Sequence, residues 1–468
     1  MSIDPGDEPL VPPRDPERNR IVFSPRGNGF AYVDDRVVVG GDDARDEVLR
    51  IAESERGLRP EAPTRLTGEE GFGWYLVDGV GDPLTLVDRL SARGAPIQVE
   101  HVLLAHGCDG ASWASPCGCD ESAPFWHGPG GLGANPYKAN PYKANGFGSD
   151  TALPLRANPY KANRPLESTA RPADDPGRRA RDRVARTVRV LVLDTGLARV
   201  VGQDGRTSST LPGPLQGAEN RVTGDIERPD TLSDDGSGHG DGYLDPVAGH
   251  GTFIAGLIDQ LTPGCHVEVR TVMDAHGHVT EGLLCRVLAQ EAAKGPVGEA
   301  GGAAHLVSLS FGGQTMGGAG SGALLDALAA LRERGAVVVA SAGNDATCVP
   351  QYPAAYEDVV AVAALDTCGP ASFTNWGSWV DACAPGVDLV SAFFDPFDGK
   401  NPAVNGVDTD RFTGWARWSG TSFAAPVVVA ALAREVAHGG GTPDDAVERV
   451  VRAPHLLRLP CLGTVVNL

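Results

Sequence analysis

The chain has 468 residues, of which 60 are acidic and 40 are basic, so its formal net charge is −20 at pH 7. Binding to nucleic acid needs clustered Lys and Arg, so this charge excludes nucleic acid as an expected partner. A single hydrophobic core seldom grows beyond about 250 to 300 residues, so the length predicts two folded units joined by linkers.

The N-terminal segment predicts neither export nor membrane anchoring. Residues 1–20 are acidic and rich in proline, with no basic start and no apolar run, and we expect a disordered tail. Apolar runs elsewhere, such as Val427–Leu432, are too short to span a bilayer. Nine cysteines are too few for a disulfide scaffold in a chain of this length, and their odd number leaves at least one outside any internal pair. Together these features predict a cytoplasmic protein, and secretion by a route without a readable signal remains an open alternative.

Residues 21–106 alternate between short strand and helix patterns. Runs of apolar and β-branched residues predict strands, and an apolar stripe on one helical face predicts a helix. The predicted strands are Phe30–Val39, Phe72–Val77 and Ile97–Ala105, and the predicted helices are Asp42–Glu53 and Asp82–Arg93. This order predicts a small α+β domain of two layers.

Residues 107–186 lose this periodicity and are rich in Gly, Pro, Asn and Arg, which predicts a linker. The pentapeptide Ala-Asn-Pro-Tyr-Lys occurs three times, at residues 134–138, 139–143 and 157–161. Two hypotheses for the repeats remain open. They are either a low-complexity spacer or substrate-like segments that this protein or a partner grips or cuts during maturation.

Residues 187–468 follow a repeated pattern of strand and helix. The predicted strands are Val188–Leu193, Val267–Val272, His305–Ser310, Ala336–Ser341 and Val359–Leu365, and the predicted helices are Glu281–Lys294, Gly322–Arg334 and Ala424–Val436. Buried strands flanked by helices predict an α/β fold with a mostly parallel sheet. In such sheets, ligands bind at the carboxyl ends of the strands.

Three short motifs in this region carry side chains used in nucleophilic catalysis. Asp194 ends an apolar strand in Val-Leu-Asp-Thr-Gly, His250 lies in Gly-His-Gly-Thr, and Ser422 lies in Gly-Thr-Ser-Phe-Ala-Ala-Pro. A serine hydroxyl becomes an effective nucleophile when a histidine accepts its proton and a buried carboxylate orients that histidine. We therefore interpret Ser422 as the nucleophile, His250 as the general base and Asp194 as the orienting carboxylate.

Other interpretations of these motifs have less support. Asp-Thr-Gly is also the signature of aspartic proteases, which need two such carboxylates, and the chain has one copy. His239 also lies between glycines, but loop residues follow it, whereas an apolar helix pattern follows His250. Esterase chemistry on an α/β-hydrolase fold is unsupported, because the sequence has no Gly-x-Ser-x-Gly motif.

The motifs and their order, Asp then His then Ser, resemble those of the subtilisin-like serine proteases from about residue 188 to residue 451. The resemblance implies a serine endopeptidase with a subtilisin-like three-layer α/β fold, polypeptide substrates and no cofactor in the chemistry. It also implies that Asn344, which follows a predicted strand, donates a hydrogen bond to the oxyanion together with the backbone N–H of Ser422.

The resemblance also assigns the substrate-binding residues. An extended substrate would add as a β-strand along Ser310, Phe311 and Gly312. The primary specificity pocket would lie between this segment and Ala342 and Gly343.

The last predicted strand of the N-terminal domain, Ile97–Ala105, resembles the end of a subtilase propeptide. In that family the propeptide assists folding of the catalytic domain and then occupies its cleft as an inhibitor. The resemblance therefore implies a zymogen that is activated by a cut between this propeptide-like domain and Val188. Two alternatives remain open: the domain is an unrelated binding module, or the whole chain is a catalytically silent peptide-binding or scaffold protein that retains the groove.

Metal sites are indicated less specifically. The acidic loops at residues 234–238 and 241–245 offer oxygen ligands for a structural Ca²⁺ but lack EF-hand spacing, so a solvated loop is the simpler interpretation. A zinc site is poorly supported, because the Cys-x-Cys pair has no second spaced pair; the residues concerned are Cys108, Cys117, Cys119, His106 and His127.

Overall fold

The computed structural model describes residues 20–24, 29–69, 72–105, 166–167, 187–202, 207–231, 242–367, 369–400 and 411–467. The predicted N-terminal tail and most of the predicted linker, including the three pentapeptide repeats, lie outside these residues. The boundaries of the tail, the propeptide-like domain, the linker and the catalytic domain therefore stay predictions.

The N-terminal domain is an antiparallel sheet with two helices packed against one face, which confirms the predicted α+β elements. Its elements are β1 (Ile21–Ser24), β2 (Phe30–Gly40), α1 (Asp42–Arg56), β3 (Thr64–Glu69), β4 (Phe72–Asp78), α2 (Pro83–Ser91) and β5 (Ile97–Ala105). Helix α2 begins where its capping residues predict, because the Asp82 side chain accepts from Thr85 N and Pro83 takes the first helical position.

A group of charged side chains crosses the N-terminal sheet. The Arg36 guanidinium lies 2.6 Å from Asp78 and 2.9 Å from Glu100, and Arg20 also donates to Asp78. Burial acts to raise the pKa of Asp78, but the hydrogen bonds from Arg20 and Arg36 outweigh it and lower this pKa to about 2. A buried charge is tolerated when it is paired and hydrogen-bonded, and this network meets both conditions.

The second domain has three layers, and its central sheet is mostly parallel, as predicted. In the described part of the chain the strands after β5 are β6 (Leu166–Glu167), β7 (Arg189–Asp194), β8 (Val222–Gly224), β9 (His266–Thr271), β10 (His278–Thr280), β11 (Leu306–Leu309), β12 (Phe311–Gly312), β13 (Val337–Ser341), β14 (Val359–Asp366), β15 (Gly369–Pro370), β16 (Ala382–Pro385), β17 (Leu389–Ala392), β18 (Phe397–Asp398), β19 (Arg411–Phe412), β20 (Trp415–Trp418), β21 (Arg458–Leu459) and β22 (Gly463–Val465). The strand order in the central sheet is β21-β22-β16-β14-β13-β11-β7-β9-β8, with β15 added beside β14. Strands β15 and β21 are antiparallel to their neighbours, and the other pairs are parallel.

Helices cover both faces of this sheet. They are α3 (His250–Leu261), α4 (Glu281–Ala293), α5 (Gly322–Glu333), α6 (Thr421–Gly439) and α7 (Pro443–Val447). Along β7 the side chains of Val190 and Val192 pack into the core with α3 and α6, whereas Leu191 and Leu193 pack into the core with α4 and α5. Both sets are buried, which explains why the strand reads as a continuous apolar run.

The two domains share one sheet through β5. Strand β10 pairs antiparallel with one edge of β5, and β12 pairs antiparallel with β5 at Ala105 and Leu104. In addition, Leu66, Trp74 and Leu103 of the N-terminal domain lie in the same buried cluster as the apolar side chains of α4 and α5. Strand β5 is therefore held between two strands of the catalytic domain.

One part of the predicted linker is attached to the catalytic domain. Leu166–Glu167 forms strand β6, which pairs antiparallel with β20 at Ala416 and Arg417. None of the described helices combines the length and the apolar character needed to span a lipid bilayer.

The cysteines bear on the predicted location. Cys348 and Cys461 are each disulfide-bonded, and Cys265, Cys285 and Cys383 are buried free thiols. Disulfides persist mainly in oxidising compartments, so the two bonded cysteines do not favour the cytoplasm. The cytoplasmic location stays a prediction.

The charged network predicts how stability depends on pH. Because the pKa of Asp78 is lower in the folded than in the unfolded chain, its contribution is complete above about pH 4 and is lost as the pH falls toward about 2. The test uses a chain with Ser422→Ala, so that the predicted nucleophile is absent and the chain stays uncut. In this background, Asp78→Asn is expected to lower the free energy of unfolding at pH 7 by about 2 kcal/mol, and by clearly less at about pH 2.5. Urea denaturation at the two pH values measures this.

The matched control is Asp46→Asn, because Asp46 also pairs with an arginine but its side chain is 65% exposed. We expect this variant to change the free energy of unfolding by less than about 1 kcal/mol at either pH. An equal loss from Asp78→Asn at both pH values would show that its carboxylate charge is not what stabilises the sheet.

Candidate active site

Asp194 and His250 form a buried hydrogen-bonded pair. Asp194 is the last residue of β7 and is 0% exposed, and His250 is the first residue of α3 and is 4% exposed. The His250 Nδ1 atom lies 2.8 Å from Asp194 Oδ1 and 3.0 Å from Oδ2, and Thr195 N donates to Oδ1 at 2.8 Å. A carboxylate here accepts the Nδ1–H, which leaves Nε2 as the acceptor of a neutral imidazole.

The residues around His250 fix its position. Gly249 has a φ of +80°, and a Cβ added there would lie 2.1 Å from the Phe393 ring, so a glycine is required where the chain turns into α3. The apolar pattern after His250 forms the buried face of α3, as the sequence predicted, and Phe253 and Ile254 are fully buried.

An aromatic cluster surrounds the His250 ring. Trp418 meets the imidazole edge to face with a centroid distance of 5.5 Å, and Phe423 lies 5.2 Å from it. Phe253 packs 4.6 Å from Phe423 within the same cluster. No local sequence pattern indicates these contacts, because they join two segments that are distant along the chain, residues 250–253 and 418–423.

Ser422 is the second residue of α6, which begins three residues earlier than the predicted start at Ala424. Pro426 is therefore inside the helix, and not in its first turn as the sequence suggested. Proline has no N–H, so the carbonyl of Ser422, four residues earlier, has no helical donor. The Ser310 hydroxyl donates to that carbonyl at 3.0 Å, and Ser422 Oγ donates to the Ser310 carbonyl at 3.3 Å.

Ser422 is linked to the His250 region through the packing of its neighbour Phe423. Ser422 is 1% exposed, and the next residue, Phe423, packs on the His250 ring. Within the described part of the chain Ser422 Oγ bonds to Ser310 and makes no hydrogen bond to His250. Catalytic hydrogen bonds are often long before substrate binds, so this geometry is compatible with a nucleophile and its base.

Asn344 follows β13 and lies beside the start of α6. Its Oδ1 accepts from both the backbone N–H and the hydroxyl of Thr421, at 2.9 Å each. These two bonds fix the amide so that Nδ2 lies next to Gly420, 3.3 Å from where a Cβ would be. A donor and the N-terminus of a helix therefore face the same point, which favours developing negative charge.

The segment predicted to bind substrate along its edge pairs with strand β5. Phe311 pairs with Ala105 and Gly312 pairs with Leu104, so the segment after Ser310 already holds an extended chain along its edge. The backbone of Ala105 also donates to Gly277 O at 2.7 Å on the opposite side. A cleft between β10 and β12 is thus filled by β5.

Ala342 and Gly343, on the other side of the predicted specificity pocket, lie next to the start of α6. Gly343 N donates to the Thr421 hydroxyl at 3.1 Å, and Asn375 donates from Nδ2 to Ala342 O. Gly343 has a φ of +111°, and a Cβ there would lie 2.2 Å from Asn375 Nδ2. The two segments predicted to flank the specificity pocket are therefore both bonded to the N-terminus of α6.

Polar contacts across the domain interface were not predicted from the sequence. His101 Nδ1 lies 2.7 Å from Glu281 Oε2, and both residues are at most 2% exposed. Gln98 donates to Glu281 at 2.6 Å, and Met316 N donates to His101 Nε2 at 3.1 Å. The sequence sign of this interface is three polar residues, Gln98, Glu100 and His101, within an apolar strand pattern.

The metal candidates lie largely outside the described residues, including the loop at 234–238 and the cysteines of the zinc hypothesis. Asp245, from the second acidic loop, accepts from the backbone and the hydroxyl of Thr231. Within the ranges that the structure describes, no three His, Cys, Asp or Glu side chains gather as metal ligands would. Structural Ca²⁺ stays a hypothesis.

Comparison with solved structures finds protease domains that align with low TM-scores and low sequence identity. The prenylagaramide maturation protease PagA aligns with a TM-score of 0.44 and 23% identity, over 62% of this chain and 95% of PagA. The S218A mutant of the protease domain of PatA aligns with the same TM-score and 26% identity, over 61% of this chain and 94% of that one.

Comparison with curated proteins gives closer sequence relatives. A thermophilic serine proteinase of Bacillus sp. (strain AK1) is 32% identical over 202 residues, which is 41% of this chain and 43% of the relative. Thermitase of Thermoactinomyces vulgaris is 32% identical over 168 residues, which is 35% of this chain and 54% of thermitase. The chain thus spans about half the length of these relatives.

The family model described as the subtilase family, Peptidase_S8, matches residues 185–454. This range is more than half of the chain and includes the Asp194–His250 pair, Asn344 and Ser422. The chain belongs to the subtilase family.

Proposed function

We propose that this protein is a serine endopeptidase that is made as a zymogen and inhibited by its own N-terminal domain. The proposed peptidase activity rests on the buried hydrogen bond between Asp194 and His250, because this bond prepares the imidazole to accept a proton from a serine. Membership in the subtilase family supports the same reaction class.

In the proposed mechanism Ser422 Oγ attacks the carbonyl carbon of the substrate peptide bond and its proton passes to His250 Nε2. Asp194 holds the imidazole through Nδ1 and stabilises the positive charge that forms. The tetrahedral intermediate then collapses, the carbon–nitrogen bond breaks, and His250 gives its proton to the leaving amine. Water repeats these steps on the acyl-enzyme. Each step uses side chains and backbone of this chain, so the proposal needs no cofactor.

The oxyanion would be stabilised by two donors at the start of α6. Asn344 Nδ2 is the side-chain donor, and its amide is oriented by the two bonds from Thr421. The Ser422 N–H is the second donor, because a first-turn N–H has no carbonyl within the helix to bind. The charge of the intermediate also faces the positive end of the helix dipole.

The register of β5 supports the proposed inhibition. Ala105, the last residue of β5, is opposite Phe311 in an antiparallel ladder. Ser310 precedes Phe311, and its carbonyl lies 3.3 Å from Ser422 Oγ. Strand β5 therefore ends beside the proposed nucleophile, and we predict that the first cut follows His106, a residue outside the described ones.

The other substrates of this endopeptidase are proposed to be extended polypeptides. They would add as a strand between β10 and β12 after β5 has left, through backbone hydrogen bonds that tolerate many sequences. The predictions that nucleic acid is not a partner and that the protein is cytoplasmic stay untested.

Incubation of the purified chain tests the proposed reaction. The wild type is expected to generate a new N-terminus at Gly107 and to cleave a casein-type substrate, whereas Ser422→Ala does neither, because the attacking oxygen is removed. Mass spectrometry of intact protein and new N-termini is the measurement. Ser419→Ala, in the same turn, is the matched control and is expected to behave as the wild type.

Two results would contradict this prediction. Cleavage of Ser422→Ala at the same bond at the wild-type rate would assign the cut to another protease. A wild type that never turns over casein and never reacts with a serine-directed phosphonate would favour the silent peptide-binding alternative.

Substitution in β5 tests the proposed inhibition. Leu103 is 1% exposed within the core shared with α4 and α5, whereas its neighbour Leu104 is partly buried against the N-terminal sheet. Leu103→Asp is expected to shorten the lag before activity appears by about tenfold or more, because a buried unpaired charge expels the strand from the cleft. Leu104→Asp, the control on the opposite face, is expected to shorten it much less. Equal lags in the wild type and in Leu103→Asp would argue against inhibition by β5.

Removal of the side-chain donor tests the oxyanion assignment. Asn344→Ala is expected to lower kcat by about a hundredfold to a thousandfold with KM nearly unchanged, because the bond forms mainly in the transition state. Steady-state kinetics on a peptide substrate measures both constants, with exposed Asn220→Ala as the control. A rise in KM with kcat retained would instead assign Asn344 to substrate binding.

A further inference from the structure

Glu227 contacts both segments that carry the Asp194–His250 pair, although no motif contains it. Gly249 N, next to His250, donates to Glu227 Oε1 at 2.7 Å. On the other side, the Glu227 carboxyl is hydrogen-bonded to the side chain of Thr195, which follows Asp194. Its own backbone N–H donates to Leu197 O at 3.1 Å, so the residue is anchored to the chain that leaves β7.

The groups around this carboxyl form a small network. Glu227 Oε2 lies 3.5 Å from the Thr252 hydroxyl, which also accepts from Ala198 N at 2.7 Å. The Thr195 hydroxyl accepts from Gly251 N at 3.1 Å. Two threonine hydroxyls and one carboxyl thus join the end of β7 to the first turn of α3.

The charge state of Glu227 follows from its surroundings. Glu227 is partly exposed as a residue, but its carboxyl group makes its contacts among buried groups. The titratable groups around it are Asp194 at the end of β7, His250 at the start of α3 and Asp245 in the loop before α3. Desolvation raises the pKa of Glu227 to about 8, the charges of Asp194 and Asp245 act in the same direction, and the bonds from Gly249 and Thr195 oppose them.

We propose that Glu227 is a positioning residue that acts as a neutral acid to hold the end of β7 against the start of α3, so that Asp194 and His250 keep their geometry. A protonated carboxyl both accepts and donates, and therefore binds the Gly249 N–H and a threonine hydroxyl at once. An ionised Glu227 carboxylate would add a negative charge near buried Asp194 and would no longer have an O–H to donate. The inference rests on the proposed serine-protease mechanism for its kinetic consequences but not for its structural ones.

The kinetic test compares Glu227→Ala with Glu227→Gln. Loss of the side chain is expected to lower kcat by about tenfold to a hundredfold with little change in KM, because the base is displaced while the substrate cleft is intact. Glutamine keeps the shape and both hydrogen-bonding roles, so it is expected to restore most of that loss at pH 7. In the wild type kcat should change with an apparent pKa near 8 as Glu227 ionises, and this step should be missing in Glu227→Gln.

Asp225→Asn is the matched control. Asp225 is an exposed carboxylate two residues earlier whose side chain accepts from Thr271 N and makes no contact with the catalytic pair. It is expected to keep both kcat and the pH profile of the wild type.

A second measurement does not depend on turnover. In the Ser422→Ala chain, the ionisation of Glu227 is expected to change the NMR signals of the His250 ring near pH 8, and this change is expected to disappear on Glu227→Gln. The His250 Nδ1–H signal is expected to exchange faster with water in Glu227→Ala. If these signals behave as expected in a protein without peptidase activity, the positioning role stands and the proposed function fails. If Glu227→Ala leaves kcat, the pH profile and the His250 signals as in the wild type, the positioning role is wrong while the proposed function is untouched.

Discussion

Complete burial of the Asp194 carboxylate is the constraint on which the catalytic region depends. An ionised carboxylate removed from water must be hydrogen-bonded, and the available donors are Thr195 N and His250 Nδ1. The same requirement therefore fixes the turn after β7 and the orientation of the imidazole. Because the helix after His250 is packed into the core, neither partner can move independently of the fold.

The parallel sheet brings the remaining groups to the same edge. Asp194 ends β7, Ser310 follows β11, and Asn344 lies three residues after β13. These strands are neighbours in the order β13-β11-β7, so their carboxyl ends are adjacent without any contact between the side chains being needed to align them.

The N-terminus of α6 then meets this edge through Thr421 and Ser422. Pro426 has a specific part in that contact: by leaving the Ser422 carbonyl without a helical donor, it allows Ser310 to bind it. A proline that would weaken an ordinary helix here allows Ser422 to be joined to Ser310.

Local sequence patterns predicted much of the fold and named the candidate site residues. The strand Ile97–Ala105 was predicted with its observed ends, and the helix predicted from Asp82 begins one residue later, at Pro83, because both patterns depend on neighbouring residues. Short strands such as β16 and β22 were not predicted, since a few buried residues acquire strand geometry only from their partners.

Contacts near the candidate site that were not predicted also depend on residues that are distant in the sequence. Glu227 lies in an irregular segment whose importance comes from Gly249 and Thr195, which are distant from it in sequence. Likewise, the pair of hydroxyl–carbonyl hydrogen bonds between Ser422 and Ser310 has no sequence signature.

Strand β5 also completes two helices of the catalytic domain. Thr280, the residue before α4, provides no side-chain cap, and Glu100 of β5 accepts from Gly282 N in the first turn at 3.1 Å. Helix α5 has a cap from Ser321, and Gln98 of β5 accepts from its first residue, Gly322, at 3.1 Å. First-turn N–H groups need such acceptors, so the N-terminal domain satisfies donors that the catalytic domain leaves open.

This arrangement gives a physical basis for the proposed zymogen, in which the N-terminal domain would assist folding and later leave. Glu100 and Glu281 are both 1% exposed, and each is balanced at the interface, Glu100 by Arg36 and Glu281 by contact with His101. While the domains are joined, these contacts favour the docked state of α4 and α5 together with β5. Once β5 is cut from the rest of the chain, water can replace its acceptors at the two helix ends and can solvate both carboxylates. An interface held at its centre by polar groups therefore stabilises the helices during folding without making the domain a permanent part of the core.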